Sequence, residues 1–198
     1  MFSSAVVWQE LSPGLLKRFS TGSGHPRQLI PAANMLQVRL TEDMKRVVAE
    51  QRLAFVATVS PDHSPNLSPK GTISVFDDEH LVFADIRSPA TVRNLESNPA
   101  VEINVVDQFC RKGYRFKGSA ALVRDGDLYR KIQKFYGQKW VDVGKAGKEL
   151  TIRCFVLIKV EQARRLTSPS YDDGGDEKQI RRDWVKYFDD LNRTKAGS

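Results

Sequence analysis

The sequence predicts a mainly β protein of the α+β class: a six-stranded antiparallel barrel with short helices and an amphipathic C-terminal helix. Two observations lead to this prediction. Six β-rich segments follow one another with turn residues between them, as in a series of hairpins. Closure into a barrel would then remove the unpaired edges that an open sheet exposes. The 198 residues are enough for one domain with a core and fall short of two full ones.

The composition argues against several classes of protein. No apolar run approaches the roughly 20 residues that span a bilayer, so we expect no membrane protein. The two cysteines, Cys110 and Cys154, lack CxxC spacing and nearby histidines, which argues against a disulfide scaffold or metal site and fits a reducing cytoplasm. The net charge of +7 would suit nucleic acid, but the basic residues are spread along the chain beside acids. Nucleic acid is therefore not the expected partner.

Residues 1–34 are predicted to form an N-terminal tail or arm of undetermined role. The segment is rich in Ser, Gly and Pro, and its one acid is Glu10. A transit peptide would have such a composition, whereas the apolar residues from Trp8 to Phe19 recur at the spacing of a short packing helix. Met35 is a second candidate start, and the barrel domain is predicted over 35–168.

The first half of the domain is predicted as a helix followed by three strands. Thr41 is the expected N-cap of a helix that runs to Arg52. The three strands are 53–59, 66–76 and 81–86. The last two are joined by an acidic turn at 77–80, where consecutive acids are expected to point apart into water and to form no carboxylate site.

The second half begins with a short helix and adds three strands. Ser88 and Pro89 suit the start of a helix that Asn98 and Pro99 end. The three strands are 100–106, 114–123 and 150–160, with a helix at 125–136. Gly118 inside a strand indicates a bulge or a close backbone approach.

Residues 169–198 are predicted as a linker and a C-terminal helix. The helix is expected over about 176–191, where apolar residues recur at helical spacing. These residues are Ile180, Trp184, Tyr187, Phe188 and Leu191. Such a stripe must be buried either on its own barrel or on a partner subunit, and we favour the partner.

A candidate binding site lies in the stretch 65–99, where hydroxyls, amides and cations gather at a strand end and a helix start. These residues are Ser68, Lys70, Thr72, Asp85, Arg87, Ser88, Thr91, Arg93 and Asn94. The first N–H groups of a helix are unpaired and point outward, which suits an anion. The residue types therefore point to a phosphate.

Three motifs in fixed order also carry a family resemblance. They are N-x-S-P-K-G-T in the second strand, S-P-x-T-x-R-N-L-x-x-N-P in the following helix, and R-K-G-x-R-x-x-G in the later hairpin. Over about 38–165 the chain resembles the pyridoxamine 5'-phosphate oxidase-like, FMN-binding split-barrel family. The resemblance implies a split barrel that forms a homodimer, with FMN in the cleft at the subunit interface.

The resemblance also implies where FMN would be bound. Ser68, Lys70, Gly71 and Thr72 would lie along one side of the flavin, and Ala84 and Asp85 at a strand end that touches it. Thr91 falls at a phosphate-binding position of the family, with Ser88 and Arg93 nearby.

The chain also departs from true pyridoxamine phosphate oxidases. These have an Arg-Lys pair where Ala90 and Thr91 stand here, and a glutamine near the position of Gly113. Their C-terminal substrate and dimer motif is not recognisable after residue 150. We therefore expect FMN binding without vitamin B6 oxidation.

The function expected from these features is an FMN-dependent oxidoreductase. It would pass electrons from a reduced nicotinamide or another donor, through FMN, to a small-molecule acceptor. No catalytic side chain is assigned, because His25, His63 and His80 lie in irregular stretches and no Ser/His/Asp or Cys/His set is evident. Three alternatives stay open: a non-catalytic flavin-binding or sensing module, a deazaflavin in place of FMN, and a flavin-free barrel that binds nucleic acid or haem.

Overall fold

A computed structural model describes residues 38–142 and 151–196, and the compact unit that contains them spans Leu36–Ser198. The predicted arm at 1–34, the alternative start at Met35 and the predicted start of the last strand at residue 150 lie outside the described residues. The elements in chain order are α1 Glu42–Gln51, β1 Ala54–Val59, β2 Pro65–Lys70, β3 Ser74–Val75, β4 His80–Asp85, α2 Pro89–Ser97, β5 Ala100–Asp107, β6 Lys112–Val123, α3 Gly126–Asp142, β7 Cys154–Thr167, a 3-10 turn Pro169–Tyr171, and α4 Glu177–Ala196. The predicted division of the chain near residue 168 stays a prediction.

The seven strands form one antiparallel sheet in the order β2-β1-β5-β6-β7-β4-β3, which curls into a half-barrel. This confirms the predicted fold class. The strand count differs by one, because the predicted strand 66–76 is divided into β2 and β3. The physical reason is a change of neighbour: β2 pairs with β1, whereas β3 pairs with β4 on the other side of the barrel. Gly71, Thr72 and Ile73 make the crossing.

The long pair β6 and β7 holds the centre of the sheet. Its register shifts between Lys117 and Gly118, which confirms the expected irregularity at this glycine. A Cβ atom at Gly118 would lie 2.0 Å from the carbonyl oxygen of Lys159, so the two backbones approach too closely for any side chain. β7 extends to Thr167, beyond the predicted end at 160, because its polar second half pairs with the start of β6.

The core fills the curl of the sheet and a second layer under α3. Inward-facing aliphatic and aromatic side chains of β1, β5, β6 and β7 form the main cluster, including Val56, Ile103 and Phe116. The second cluster places Tyr136 of α3 parallel to Phe155 of β7, with the ring centres 5.4 Å apart. Burial of this apolar surface is the main stabilising term for such a fold.

The helix ends follow the capping chemistry expected of the sequence. The Thr41 hydroxyl accepts a hydrogen bond from the Met44 amide at 3.3 Å, and Arg52 ends α1 in the left-handed conformation. Ser88 occupies the N-cap position of α2 and Pro89 follows it, yet the Ser88 side chain makes no capping hydrogen bond. Among the described helices none is both long enough and apolar enough to cross a membrane.

Helix α4 packs on the hairpin between β5 and β6 of its own chain. The Arg111 guanidinium lies 3.5 Å from the centre of the Trp184 ring, and Phe188 meets Phe109 edge to face. An ion pair of 2.5 Å joins Arg181 to the buried Asp107. The chain itself therefore covers part of Trp184 and Phe188, and the expected contact of the stripe with a partner subunit stays a prediction.

Candidate phosphate-binding site

Lys70 is the centre of the site. It ends β2 with an inward-facing side chain, and only 4% of the residue is exposed. Its Nζ atom donates a hydrogen bond to the Ser68 hydroxyl at 2.5 Å and another to the Thr91 hydroxyl at 3.4 Å. The ammonium also lies 5.6 Å from the centre of the Phe83 ring. Thus a buried cation, two hydroxyls and an aromatic face converge from β2, β4 and α2.

The charge of Lys70 is only partly balanced. Among the ion pairs of the described residues, none includes Lys70, so its polar contacts are to neutral hydroxyls. Burial lowers the pKa of Lys70, and the Asp85 carboxylate opposes this from beyond ion-pair distance. A buried cation without a close carboxylate is costly, and an anion bound beside it would remove that cost.

Asp85 and Ser88 shape the approach to helix α2. Asp85 is 2% exposed, and its Oδ1 atom accepts a hydrogen bond from the Ser88 amide at 2.8 Å. Thr91 in the first turn of α2 is also buried and faces Lys70. Because Ser88 does not cap the helix with its side chain, the first-turn amides lack that usual acceptor. The positive end of α2 and the Lys70 ammonium therefore act on the same region.

Thr72 joins the two sides of the split in the barrel. Its hydroxyl accepts a hydrogen bond from the Ala84 amide and donates one to the Ala84 carbonyl, both at 3.1 Å. The Thr72 side chain thus takes the place of backbone hydrogen bonds between strands at the point where the chain crosses from β2 to β3. Gly71 precedes it, and a Cβ there would meet only the Arg52 carbonyl oxygen, at 3.9 Å. The β2–β3 crossing and β4, which both carry residues of the site, are therefore linked by these two hydrogen bonds.

The structure does not bring the two predicted arginines into this cluster. Arg93 is exposed and, with Asp85, Pro89 and Arg124, lines a pocket of about 270 Å³ that does not include Lys70. Arg87 is exposed and makes no hydrogen bond or ion pair to any described residue. Seven other predicted FMN-binding residues lie around Lys70, at the end of β4 or in the adjoining β2–β3 and β4–α2 connections: Ser68, Gly71, Thr72, Ala84, Asp85, Ser88 and Thr91.

A buried polar network, which sequence reasoning largely missed, holds α2 against β1 and β2. The Asn94 amide donates hydrogen bonds to the Thr58 hydroxyl at 3.0 Å and to the Ser60 hydroxyl at 3.3 Å. Asn66 donates to the same Thr58 hydroxyl at 3.0 Å. Polar residues at inward positions of alternating strands were the available signal. The network fixes the helix that presents Thr91.

The histidines and the acidic turn have local structural partners. The Nδ1 atom of His80 lies 2.8 Å from Asp77, and His63 occupies an exposed turn with a positive φ of 65°. Asp78 pairs with Lys45 of α1 at 2.8 Å while 48% of its side chain stays exposed, so this acid has a cationic partner that the sequence did not indicate. Among the described residues no group of three or more His, Cys, Asp and Glu is arranged to hold a metal ion.

Comparison with known proteins places this geometry in a family. HupZ of Group A Streptococcus is 31% identical, with a TM-score of 0.55 over 65% of this chain and 94% of that one. An FMN-binding protein of Syntrophomonas wolfei has a TM-score of 0.53 over 65% of this chain and 87% of its own, but at 14% identity it shows only a shared fold.

The sequence comparisons extend over the same region. An uncharacterized protein of Methanocaldococcus jannaschii, MJ0282, is 32% identical over 135 residues, which are 66% of this chain and 83% of that protein. Residues 40–167 match the family model of pyridoxamine 5'-phosphate oxidase, which covers every strand of the sheet. The chain therefore belongs to the pyridoxamine 5'-phosphate oxidase family.

Proposed function

We propose that this protein binds FMN, with the phosphate at Lys70, and acts as an FMN-dependent oxidoreductase. The observation that carries the proposal is the buried Lys70 ammonium, which has only hydroxyl partners and lies beside the first turn of α2. Family membership and the FMN-binding protein of the same fold add support.

The residues around Lys70 suit a phosphate monoester. A phosphate offers several acceptor oxygens, and the ammonium together with the Ser68 and Thr91 hydroxyls supplies donors of matching number and charge. Unpaired amides at a helix start add to such a site. The Asp85 carboxylate would repel the phosphate, but its Oδ1 atom is held by the Ser88 amide, 2.8 Å away. The site therefore fits the cofactor at its anionic end.

When bound, FMN would supply the redox chemistry, accepting electrons from a donor and passing them to an acceptor. The chain would supply position and electrostatics. Lys70 would anchor the anion, and Thr72 would keep the β2–β3 crossing and Ala84 in fixed relation. We propose a reduced nicotinamide as one donor and a small molecule as the acceptor. True pyridoxamine phosphate oxidation is not proposed, because the motif departures at Ala90, Thr91 and Gly113 remove family residues.

A homodimer is part of the proposal. Phe55, Val59 and Leu67 lie on the outer face of β1 and β2, and Leu67 is 64% exposed. β2 is also an end strand of the sheet, so its outer side is open to a second subunit. Clustered apolar side chains of this kind indicate an interface. We propose that a second copy covers this face and that FMN lies at the subunit boundary.

We also propose a cytoplasmic location. Cys110 and Cys154 are both free and buried, as thiols are in a reducing compartment.

The test begins with titration of FMN-free protein with FMN. The double variant Lys70→Ala/Thr91→Ala is expected to lose FMN affinity, because it removes the buried cation and a hydroxyl that contacts it. Lys159→Ala/Thr167→Ala is the matched control, since it also removes one lysine and one threonine side chain, but from exposed positions of β7. Normal flavin retention by the first variant would overturn the site assignment.

A second measurement separates an enzyme from a flavin-binding module. The FMN-loaded protein is mixed anaerobically with NADH or NADPH, and flavin bleaching is followed in a stopped-flow instrument. Bleaching followed by reoxidation with an added acceptor is the result expected of an oxidoreductase. If no donor reduces the bound flavin, the non-catalytic binding or sensing function replaces the enzyme.

A further inference from the structure

A second cationic site lies on the outer face of the sheet, away from Lys70. Arg115 and Lys117 of β6 and Gln162 and Arg164 of β7 line a pocket of about 130 Å³. We propose that this pocket binds the phosphate or carboxylate group of a small-molecule ligand. The assignment goes beyond FMN binding and does not depend on it.

The register of the sheet forces like charges together. Arg115 and Arg164 are directly opposed across β6 and β7, and Lys117 is opposed to Gln162 in the next outward row. Directly opposed like charges destabilise a sheet unless an anion lies between them. Both arginines stand on central strands whose backbone is fixed by long ladders, so the two side chains start from neighbouring positions before any ligand arrives.

The pocket has more donors than the protein uses. Glu102 lies within 3.1 Å of both Arg115 Nε and Lys117 Nζ, which orients these two cations and balances one of them. The contact between Arg115 and Glu102 is an ion pair without a hydrogen bond at Nε. The buried Nε–H group of Arg115 therefore makes no hydrogen bond. The Arg164 side chain makes no ion pair or hydrogen bond to any described residue and is exposed. The cluster therefore keeps an excess of positive charge and unused N–H groups.

The neighbouring strand β5 places a buried polar side chain next to Arg115, behind the residues that line the pocket. Asn104 of β5 is opposed to Arg115 on the same outer face, and its buried Oδ1 atom has no hydrogen-bond donor. Hydrogen phosphate carries acceptor oxygens for the Arg115, Lys117 and Arg164 side chains that line the pocket. A pocket of about 130 Å³ holds about four water molecules at roughly 30 Å³ each, which is room for one such group.

Nucleic acid is the less favoured occupant of this face. A nucleic-acid surface needs a continuous run of available cations, and residues 111–117 include four basic side chains. In the structure Arg111 is stacked on Trp184, and Lys112 is paired with Glu177 at 2.6 Å. Only Arg115 and Lys117 of that run face the pocket. Arg111 and Lys112 therefore contact α4 and are not available to a nucleic acid. The pocket lined by Arg115 and Lys117 has room for one anionic group.

The experiment uses full-length protein in a Lys70→Ala background, so that phosphate cannot report on the FMN site. Inorganic phosphate is titrated at constant ionic strength, and the Nε–Hε resonances of Arg115 and Arg164 are followed by NMR. We expect both resonances to shift to saturation. Arg164→Gln should weaken the binding by about tenfold or more, because it removes a charge-assisted hydrogen-bond donor. Lys159→Gln, which removes a charge from an exposed position of the same strand, should change it by less than twofold.

Acetate is titrated in parallel. Saturation by phosphate alone would assign the site to phosphate-bearing ligands. Saturation by phosphate and by acetate would extend the assignment to carboxylates. Either result supports the proposal. If neither anion saturates the site, the proposal is overturned. It is also overturned if Arg164→Gln protein binds phosphate as tightly as protein with Arg164. Tight, steeply salt-dependent binding of a short single-stranded DNA without saturation by phosphate would also overturn it, in favour of nucleic acid.

Discussion

Replacing Lys70 by methionine separates a lysine that binds FMN from one that only supports the fold. Methionine keeps an unbranched apolar stem in the buried position and removes the ammonium. Because burial already opposes the charge of Lys70 and no described carboxylate pairs with it closely, the apo-protein loses little. We expect its free energy of unfolding to stay within about 1 kcal/mol of wild type, since buried charges replaced by apolar groups are often tolerated.

The effect on FMN should be far larger. Removing one partner of a buried, hydrogen-bonded charge pair costs about 2–5 kcal/mol of binding free energy, which is about 30-fold to about 5,000-fold in the dissociation constant. Quenching of flavin fluorescence on titration of apo-protein measures the constant, and urea unfolding measures stability. Lys159→Met, at an exposed position of β7, is the control. Lys70→Met protein that binds FMN within threefold of wild type, or that is strongly destabilised while binding normally, would refute the reasoning.

Lys70 also predicts how the stability and the affinity depend on pH. Its pKa is lowered in the folded apo-protein, so the unfolded chain holds this proton more tightly. Rising pH should therefore stabilise the apo-protein in the window between the lowered pKa and the ordinary value of 10.5. A bound phosphate favours the charged form, so FMN affinity should fall as pH rises above the lowered pKa. With Lys70→Met protein, the FMN affinity should not fall over this pH range. If the affinities of wild type and Lys70→Met depend on pH in the same way, Lys70 does not bind the phosphate.

Three further changes test the fold. Gly118→Ala should lower the unfolding free energy by about 3 kcal/mol or more, because its Cβ would lie 2.0 Å from the Lys159 carbonyl oxygen; a loss below about 1 kcal/mol in urea unfolding would contradict this close approach. Although burial alone would raise it, bonds from Arg181 and two backbone amides hold the pKa of Asp107 below its ordinary 3.8. Asp107→Asn should therefore cost about 1 kcal/mol at neutral pH, and the difference should disappear as pH falls from 3.8 through the lowered pKa; a difference that persists in strong acid would count against it. Tyr136→Phe removes the hydroxyl that lies 2.7 Å and 3.0 Å from two backbone carbonyls, and should cost about 1 kcal/mol with an unchanged urea slope; a variant as stable as wild type would argue against these bonds.

Local sequence patterns predicted the strands well because alternation and turn residues are local properties. The division of the predicted strand 66–76 was not visible, since nothing local shows where a strand leaves one neighbour for another. The length of β7 was missed for a similar reason. Its second half is polar, and only pairing with β6 shows that it continues to Thr167.

Part of the site could be predicted from the sequence in the same way. Ser68 and Lys70 share the inward parity of β2, and Thr91 is in the first turn of the following helix, so their meeting follows from strand and helix periods. Helical periodicity also separates Arg93 from Thr91, because positions two apart face away from each other. Arg93 is therefore directed away from the Lys70 ammonium by the period of α2 alone.

The C-terminal helix shows a limit of the pattern. An amphipathic stripe shows that a helix needs a partner surface, but it carries no information on which surface that is. In the structure, Arg111 and Asp107 at the β5–β6 turn hold α4 against its own chain. Pairing across more than sixty residues of chain is outside the reach of local patterns.

The most direct test of the central claim is the visible absorption spectrum of the purified protein, followed by mass analysis of whatever heat releases from it. We expect a two-banded flavin spectrum and released FMN, with the colour lost in the Lys70→Ala/Thr91→Ala variant and kept in Lys159→Ala/Thr167→Ala. A colourless protein that also fails to bind added FMN would contradict the proposed function and leave the fold without its cofactor.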